Sequence, residues 1–278
     1  MSGEFVVGRP HPGLRGYVSR YIGYRQDGTL PAVHRGLPSR HIVVVISLAE
    51  PVHVISSPDG RSSSATLQGL VGGMQSGPAL IGQTDHQYGL QLELDPLGAR
   101  GLLGVSAEDL SGAVVELGRL PRPALATLPD RLASTTGWRQ RFAVLDEVLL
   151  GVLVETVRAA PEVEWAWSRL LRAGGRTPVR ALAGDVGWST RHLGERFRRE
   201  IGLAPKQAAR VVRFERASTA LRRRPRTALA DLAAECGYYD QAHLTHEWRA
   251  LAGCTPGTWM AEELPFLQES IPGPDSDW

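Results

Sequence analysis

The side chains with the most obvious chemical potential lie near the end of the chain, in His243-Leu244-Thr245-His246-Glu247. Two histidines and a carboxylate on one helix could hold a metal ion. The zinc-hydrolase arrangement, however, places its histidines four apart with glutamate directly after the first. Here the histidines are three apart and Glu247 follows the second, so no metal site is expected. Cys236 and Cys254 are too few for a disulfide framework or a four-cysteine zinc site, and Cys236, in an alanine-rich stretch, reads as a small core residue. His11, His34, His41, His53 and His86 form no close His-x-His pair. The glycines at 72, 73 and 77 lack dinucleotide-loop order, the single lysine, Lys206, follows Pro205, and no Gly-x-Ser-x-Gly elbow occurs. The expectation is therefore no catalytic residues, no metal, no cofactor and no enzymatic activity.

What remains is arginine, 30 of the 31 basic residues, and it is unevenly spread. Residues 1–160 balance 14 basic against 14 acidic side chains, whereas 161–260 carry 17 against 10, a local charge of +7. Residues 261–278 add 5 acids and no base, which returns the total to +2. A basic block inside a neutral chain predicts a polyanionic partner. No apolar run approaches the ~18–20 residues that span a bilayer, and the N-terminus lacks a basic-then-hydrophobic leader. A soluble, reduced, cytoplasmic protein with no membrane partner is expected.

Within the basic block the sequence repeats itself. LAGDVGWSTRHLGERFRREIGLAP (182–205) and LAAECGYYDQAHLTHEWRALAGCTP (232–256) match at Leu182/Leu232, Ala183/Ala233, Gly187/Gly237 and Trp188/Tyr238. One inserted residue later they match again at His192/His243, Leu193/Leu244, Phe197/Trp248, Arg198/Arg249, Gly202/Gly253 and Pro205/Pro256. Each copy reads as a helix-turn-helix, over about 178–201 and 228–252. Thr177-Pro178 and Thr227 are expected to open the first helices, and Gly187 and Gly237 to make the turns. Ser189 and Asp240 would cap the second helices, and Gly202 and Gly253 would close them. At 100° per residue, Leu193, Phe197 and Ile201 face inward while Arg191, Glu195, Arg198 and Arg199 face solvent. In the second copy Leu244 and Trp248 face inward, and Ala242, His246 and Arg249 outward. Residues 205–224 read as one long helix joining the units.

At this point the block resembles the DNA-binding domain of the AraC/XylS family of bacterial transcriptional regulators. The resemblance rests on LAGDVGWSTRHLGERFRREIGLAPKQ, RFERASTAL and LAAECGYYDQAHLTHEWRALAGCTPGTW, about 165–260 of the chain. It implies two recognition helices in successive major grooves of double-stranded DNA, ~34 Å apart. It puts base contacts at Thr190, Arg191, Gly194 and Glu195, and at Gln241, Ala242, Thr245 and His246. Arg191, Glu195, Gln241 and His246 have the chemistry to read base edges, arginine pairing with guanine and glutamate accepting from cytosine. Ser189, Arg198, Arg199 and Arg249 are assigned to phosphate, which positions the protein without specifying sequence.

The first hundred residues read as β-rich. Ile42–Leu48, Val52–Ile55 and the alternating Leu90, Leu92 and Leu94 are expected strands, and 56–64 and 69–78 turn-rich connections. From Pro96 the patterns turn helical, through LGARGLL and SAEDL to a segment at 138–158 whose apolar face is either a dimer face or packed on its own sheet. The expected fold class is thus an α+β N-terminal domain, β-rich and then helical, followed by an all-α double helix-turn-helix domain. The divisions are an effector-binding and dimerisation domain at 1–157, a linker at 158–164, the DNA-binding domain at 165–260 and an acidic tail at 261–278. GLPSRHIVVVIS and LELDPLGARGLLGVSAEDLSG resemble the N-terminal domains of one group of such regulators, which implies a small-molecule effector, a homodimer and RNA polymerase as partners. Two alternatives stand beside this reading. One is a ligand-independent architectural regulator. The other is an enzyme fused to a DNA-binding module, which would need a nucleophilic cysteine that residues 1–235 do not contain.

Overall fold

The computed structural model describes residues 2–28, 32–60, 64–154 and 159–263. The N-terminal part runs β1 (Ser2–Gly8), β2 (Val18–Asp27), β3 (Val33–Gly36), β4 (Ile42–Ser47), β5 (Val52–Ser56), β6 (Ala65–Leu67), β7 (Gly69–Gly72), β8 (Ala79–Gly82) and β9 (His86–Leu94). It continues through α1 (Ala99–Leu103), α2 (Ala107–Leu110), β10 (Val114–Glu116), α3 (Pro123–Ala126), α4 (Leu128–Ala133) and α5 (Trp138–Val152). The C-terminal part is all helical: α6 (Pro161–Arg172), α7 (Val179–Asp185), α8 (Thr190–Ile201), α9 (Pro205–Arg223), α10 (Leu229–Cys236), α11 (Gln241–Ala252) and α12 (Pro256–Glu262). The strands form two antiparallel sheets, ordered β1-β2-β9-β4-β7-β10 and β3-β8-β5-β6.

The β-branched run of β4 lies in the larger sheet, where Ile42, Val44 and Ile46 meet Leu90, Leu92 and Leu94 of β9 in one core. Helix α5 adds Leu145, Val148 and Leu149 to that core, so its apolar stripe is used on its own sheet and not on a dimer face. The fit is close: Phe142 stacks on Tyr21 at 5.8 Å, and a Cβ at Gly8 or Gly23 would lie 2.6 Å from Phe142 or 2.4 Å from Trp138. One turn-rich stretch needs correcting. Residues 69–72 form strand β7, paired with both β4 and β10. Its glycine content marks close approach, since a Cβ on Gly69 would press on Leu117 and one on Gly73 would come within 2.0 Å of the Leu110 carbonyl oxygen.

The expected linker at 158–164 is shorter than its composition suggested, because Pro161 starts α6 and residues 161–164 are its first turn; residue 158 lies outside the described residues. The acidic tail begins inside the fold: Ala261 and Glu262 belong to α12, and Glu263 is buried against β3. There Glu263 hydrogen-bonds His34 Nδ1 at 2.8 Å and accepts from the Arg35 backbone N–H at 3.1 Å. Burial opposes the charge, but these hydrogen bonds hold its carboxyl below the usual carboxylate range. The rest of the tail, 264–278, lies outside the described residues. Among the described residues no helix is long and apolar enough to cross a membrane.

The second core is helical, centred on Trp167, Phe197, Phe214, Trp248 and Trp259, and it also takes in Met74 from the N-terminal part. The two parts therefore share apolar contacts as well as ion pairs.

Candidate nucleic-acid interface

Each repeat copy folds into two helices joined by a glycine turn, α7–α8 and α10–α11. Gly187 and Gly237 hold φ of +71° and +78°, a left-handed conformation that costs an L-residue with a Cβ 1–2 kcal/mol, roughly. The second helices start where a side-chain oxygen can satisfy an orphan amide: Ser189 Oγ accepts from the His192 N–H at 3.1 Å, and Asp240 Oδ1 from the His243 N–H at 2.7 Å. Gly202 and Gly253, again left-handed, end them. The first helices open one residue later than expected. Pro178 and Ala228, both extended, occupy the cap positions, so neither Thr177 nor Thr227 caps. The long connecting helix α9 ends at Arg223.

Beneath each turn an aromatic ring meets a histidine edge-on, Trp188 on His192 at 4.5 Å and Tyr238 on His243 at 5.4 Å. His243 Nδ1 also accepts the Tyr239 backbone N–H at 3.1 Å. The paired histidines are thus structural struts of the turns. Among the described residues no three His, Cys, Asp or Glu side chains converge as metal ligands. Cys236 lies in the core, where burial pushes its thiol pKa up and away from reactivity.

Inward positions behave as the periodicity requires: Leu193, Phe197, Ile201, Leu244 and Trp248 are fully buried. Thr190, Arg191, Glu195, Gln241, Ala242 and His246 are all exposed, clustered on the N-terminal halves of α8 and α11, while Gly194 is half-buried. Arg191 Nε donates to Glu195 Oε1 at 3.0 Å, which aims the guanidinium along the outer face and leaves its terminal nitrogens to donate. Thr245 is half-buried, and its hydroxyl donates to the Gln241 carbonyl oxygen on its own helix at 2.9 Å. Of the expected phosphate contacts, Ser189, Arg199 and Arg249 are exposed, with Ser189 serving as the cap. Arg198 is drawn aside, its Nε 3.0 Å from Glu108 on α2 of the N-terminal part. Nothing local in SAEDL marks Glu108 as its partner. The sequence likewise hid Glu247, which is buried and accepts from Arg210 of α9 at 2.6 Å.

Residues 182–262 match the family model described as a helix-turn-helix domain. They form a DNA-binding domain of the AraC type. That domain makes the protein a DNA-binding transcriptional regulator. No curated protein sequence matches the chain. Among solved structures, ToxT from Vibrio cholerae is similar over 94% of this chain and 99% of its own, at 10% identity and a TM-score of 0.51. ToxT bound to (E)-4-(8-methylnaphthalen-1-yl)but-3-enoic acid is similar at 9% identity, with coverage of 94% and 99% and a TM-score of 0.52. Wild-type ToxT with an unsaturated fatty acid gives 10% identity, coverage of 93% and 95% and a TM-score of 0.51. At such identities the likeness is one of fold: the chain shares the two-part architecture along nearly its whole length.

Proposed function

We propose that this AraC-type regulator recognises a specific operator through α8 and α11, and that a small acidic effector bound by the protein controls it. The observation that carries the first half is the pair of exposed, capped helix N-termini bearing Arg191, Glu195, Gln241, Ala242 and His246 on a rigid glycine-turn frame. Arg191, steadied by Glu195, has the fork that matches guanine O6 and N7, and Gln241 has the amide that matches adenine. Arg199 and Arg249 supply phosphate contacts beside them. Selection from a pool of randomised duplexes with the full chain tests this reading. One enriched motif with two elements about 10–10.5 bp apart is the expected result. Recovery of unenriched sequence overturns it.

The effector reading draws support from ToxT, solved with two carboxylic acids, and from a cavity of about 460 Å³ here. That cavity joins Arg40 of the N-terminal part to α6, α9 and α10, and Arg172, Arg176 and Arg216 line it beside Leu171 and Val212. Glu215 and Glu235 also line it, paired with Arg40 and Arg224, but arginines outnumber them. A cationic excess beside an apolar wall suits a carboxylate with a hydrophobic body. Thermal shifts with saturated and unsaturated fatty acids provide the check. At 100 times Kd a ligand adds about 2.7 kcal/mol of stability, and Arg216→Ala should shrink the shift. An unmoved melting temperature across the series counts against an acidic effector. An N-terminal effector-binding domain that ends before α6, a DNA-binding domain running from Pro161 of α6 to Glu262 of α12, a homodimer and contact with RNA polymerase, all in the cytoplasm, complete the proposal.

A further inference from the structure

The two helix-turn-helix units differ in length by one residue, and that residue is Tyr239. It follows the buried Tyr238 and precedes the capping Asp240, so it stands at the tip of the turn that leads into α11. Its exposure is 92%, against 40% for the next most exposed large apolar residue among those described. Three contacts immobilise the backbone beneath it. Its own N–H donates to His243 Nδ1 at 3.1 Å, and Asp240 accepts from the His243 N–H at 2.7 Å. The His243 ring in turn lies edge-on to Tyr238 at 5.4 Å. Behind the turn, Gly237 lies so close to Arg176 that a Cβ would come within 2.7 Å of that side chain. Tyr239 is therefore a large aromatic ring, free only in its side-chain torsions, on a fixed pedestal beside the exposed Gln241 and Ala242.

Among the described residues nothing covers this ring, and leaving it in water is unfavourable in proportion to its apolar area. We propose that Tyr239 is a DNA-contacting residue of the second unit. Its ring covers the sugar–phosphate edge of the groove that α11 enters, and its hydroxyl donates to a phosphate oxygen. The inference rests on α11 being a DNA-entering helix. Tyrosine suits the position because it offers apolar area and one polar tip at the cost of only two torsions. A neutral ring releases no counterion, so its contribution should persist at salt concentrations that weaken the arginine contacts. The first unit has no equivalent, because its turn passes straight from Trp188 to the cap Ser189.

The test compares the full-length protein with Tyr239→Ala and Tyr239→Phe on a random-sequence duplex and on any selected motif, across a salt series. Because the contact is to backbone, Tyr239→Ala should weaken both duplexes by about 3- to 10-fold, with the slope of log K against log salt unchanged. Tyr239→Phe should keep more than half of that binding free energy. The melting temperature of both variants should match the unaltered chain, since the ring is solvent-exposed. Equal affinity of Tyr239→Ala and the unaltered protein overturns the proposal even where a motif is selected, and leaves the recognition reading intact. A changed salt slope, or a lowered melting temperature that accounts for the loss, also overturns it. Absence of any duplex binding by the unaltered chain overturns both.

Discussion

The two helix-turn-helix units share a sequence pattern, but they are held by different parts of the molecule. In the first, α8 leans on the N-terminal part. Arg198 pairs with Glu108 at 3.0 Å and Glu200 with Arg100 at 3.1 Å, and a Cβ on Gly202 would fall 2.8 Å from the Ala107 carbonyl oxygen. In the second, α11 leans mainly on its own domain. Glu247 pairs with Arg210 of α9, and Trp248 meets Phe214 at 4.9 Å and Trp259 at 5.5 Å. Matching positions were thus put to opposite uses. Glu247 is buried and aimed at the connecting helix, whereas its counterpart Arg196 is exposed. A repeat fixes the shape of a unit, and the substitutions between copies decide what that unit is coupled to. Among the described residues, α8 is the recognition helix that ion-pairs directly with the N-terminal part.

The contrast breaks most visibly at its rigid end. Glu247→Ala should destabilise the protein by about 3 kcal/mol, because it leaves the half-buried Arg210 without its carboxylate. Arg196→Ala, at the matching exposed position, should stay within about 0.5 kcal/mol. Urea melts of both variants provide the measurement. Equal effects would show that the two units are supported alike.

The next effect separates readout from support. Arg191→Ala removes the side chain that Glu195 orients and should cost about 1–3 kcal/mol of discrimination at one base pair read by the first unit. Stability should hold, since the Arg191 side chain is 89% exposed. Arg199→Ala should weaken selected and random duplexes alike. An unchanged selected motif in Arg191→Ala would mean that α8 does not present the face assigned to it.

How much of this was legible follows from where each cause lies in the chain. The repeat, its glycine turns, the caps Ser189 and Asp240 and the inward faces of α8 and α11 all depend on neighbours within four residues, so spacing alone exposes them. Thr177 and Thr227 misled because a threonine near a helix start is a local cue with several local outcomes, and here Pro178 and Ala228 took the cap position. Gly69 and Gly73 misled for a different reason. Glycine marks either a turn or a close approach, and the Leu117 side chain and the Leu110 carbonyl that settle the choice are about 40 residues away. The same distance problem hid the partners of Arg198 and Glu263, whose counter-charges come from the other part of the molecule. Long-range ion pairs leave no period in a sequence.

The smallest effect tests the coupling itself. Glu108 stands in the first turn of α2, capped by Ser106 and Asp109, and its pair with Arg198 is exposed at 41% and 61%. An exposed pair is worth about 0.2–1 kcal/mol, so Glu108→Ala should barely move the melting temperature. It should, however, free Arg198 for a phosphate; among the described residues its counterpart Arg249 has no N-terminal carboxylate paired to it. The expected gain in duplex affinity is then up to about 5-fold, with a steeper salt dependence approaching one further phosphate contact. The gain should vanish when Glu108→Ala is combined with Arg198→Ala, because the two substitutions act on one interaction. Unchanged affinity in Glu108→Ala would mean that DNA already wins Arg198 from Glu108 without help. The first unit would then be as independent of the N-terminal part as the second.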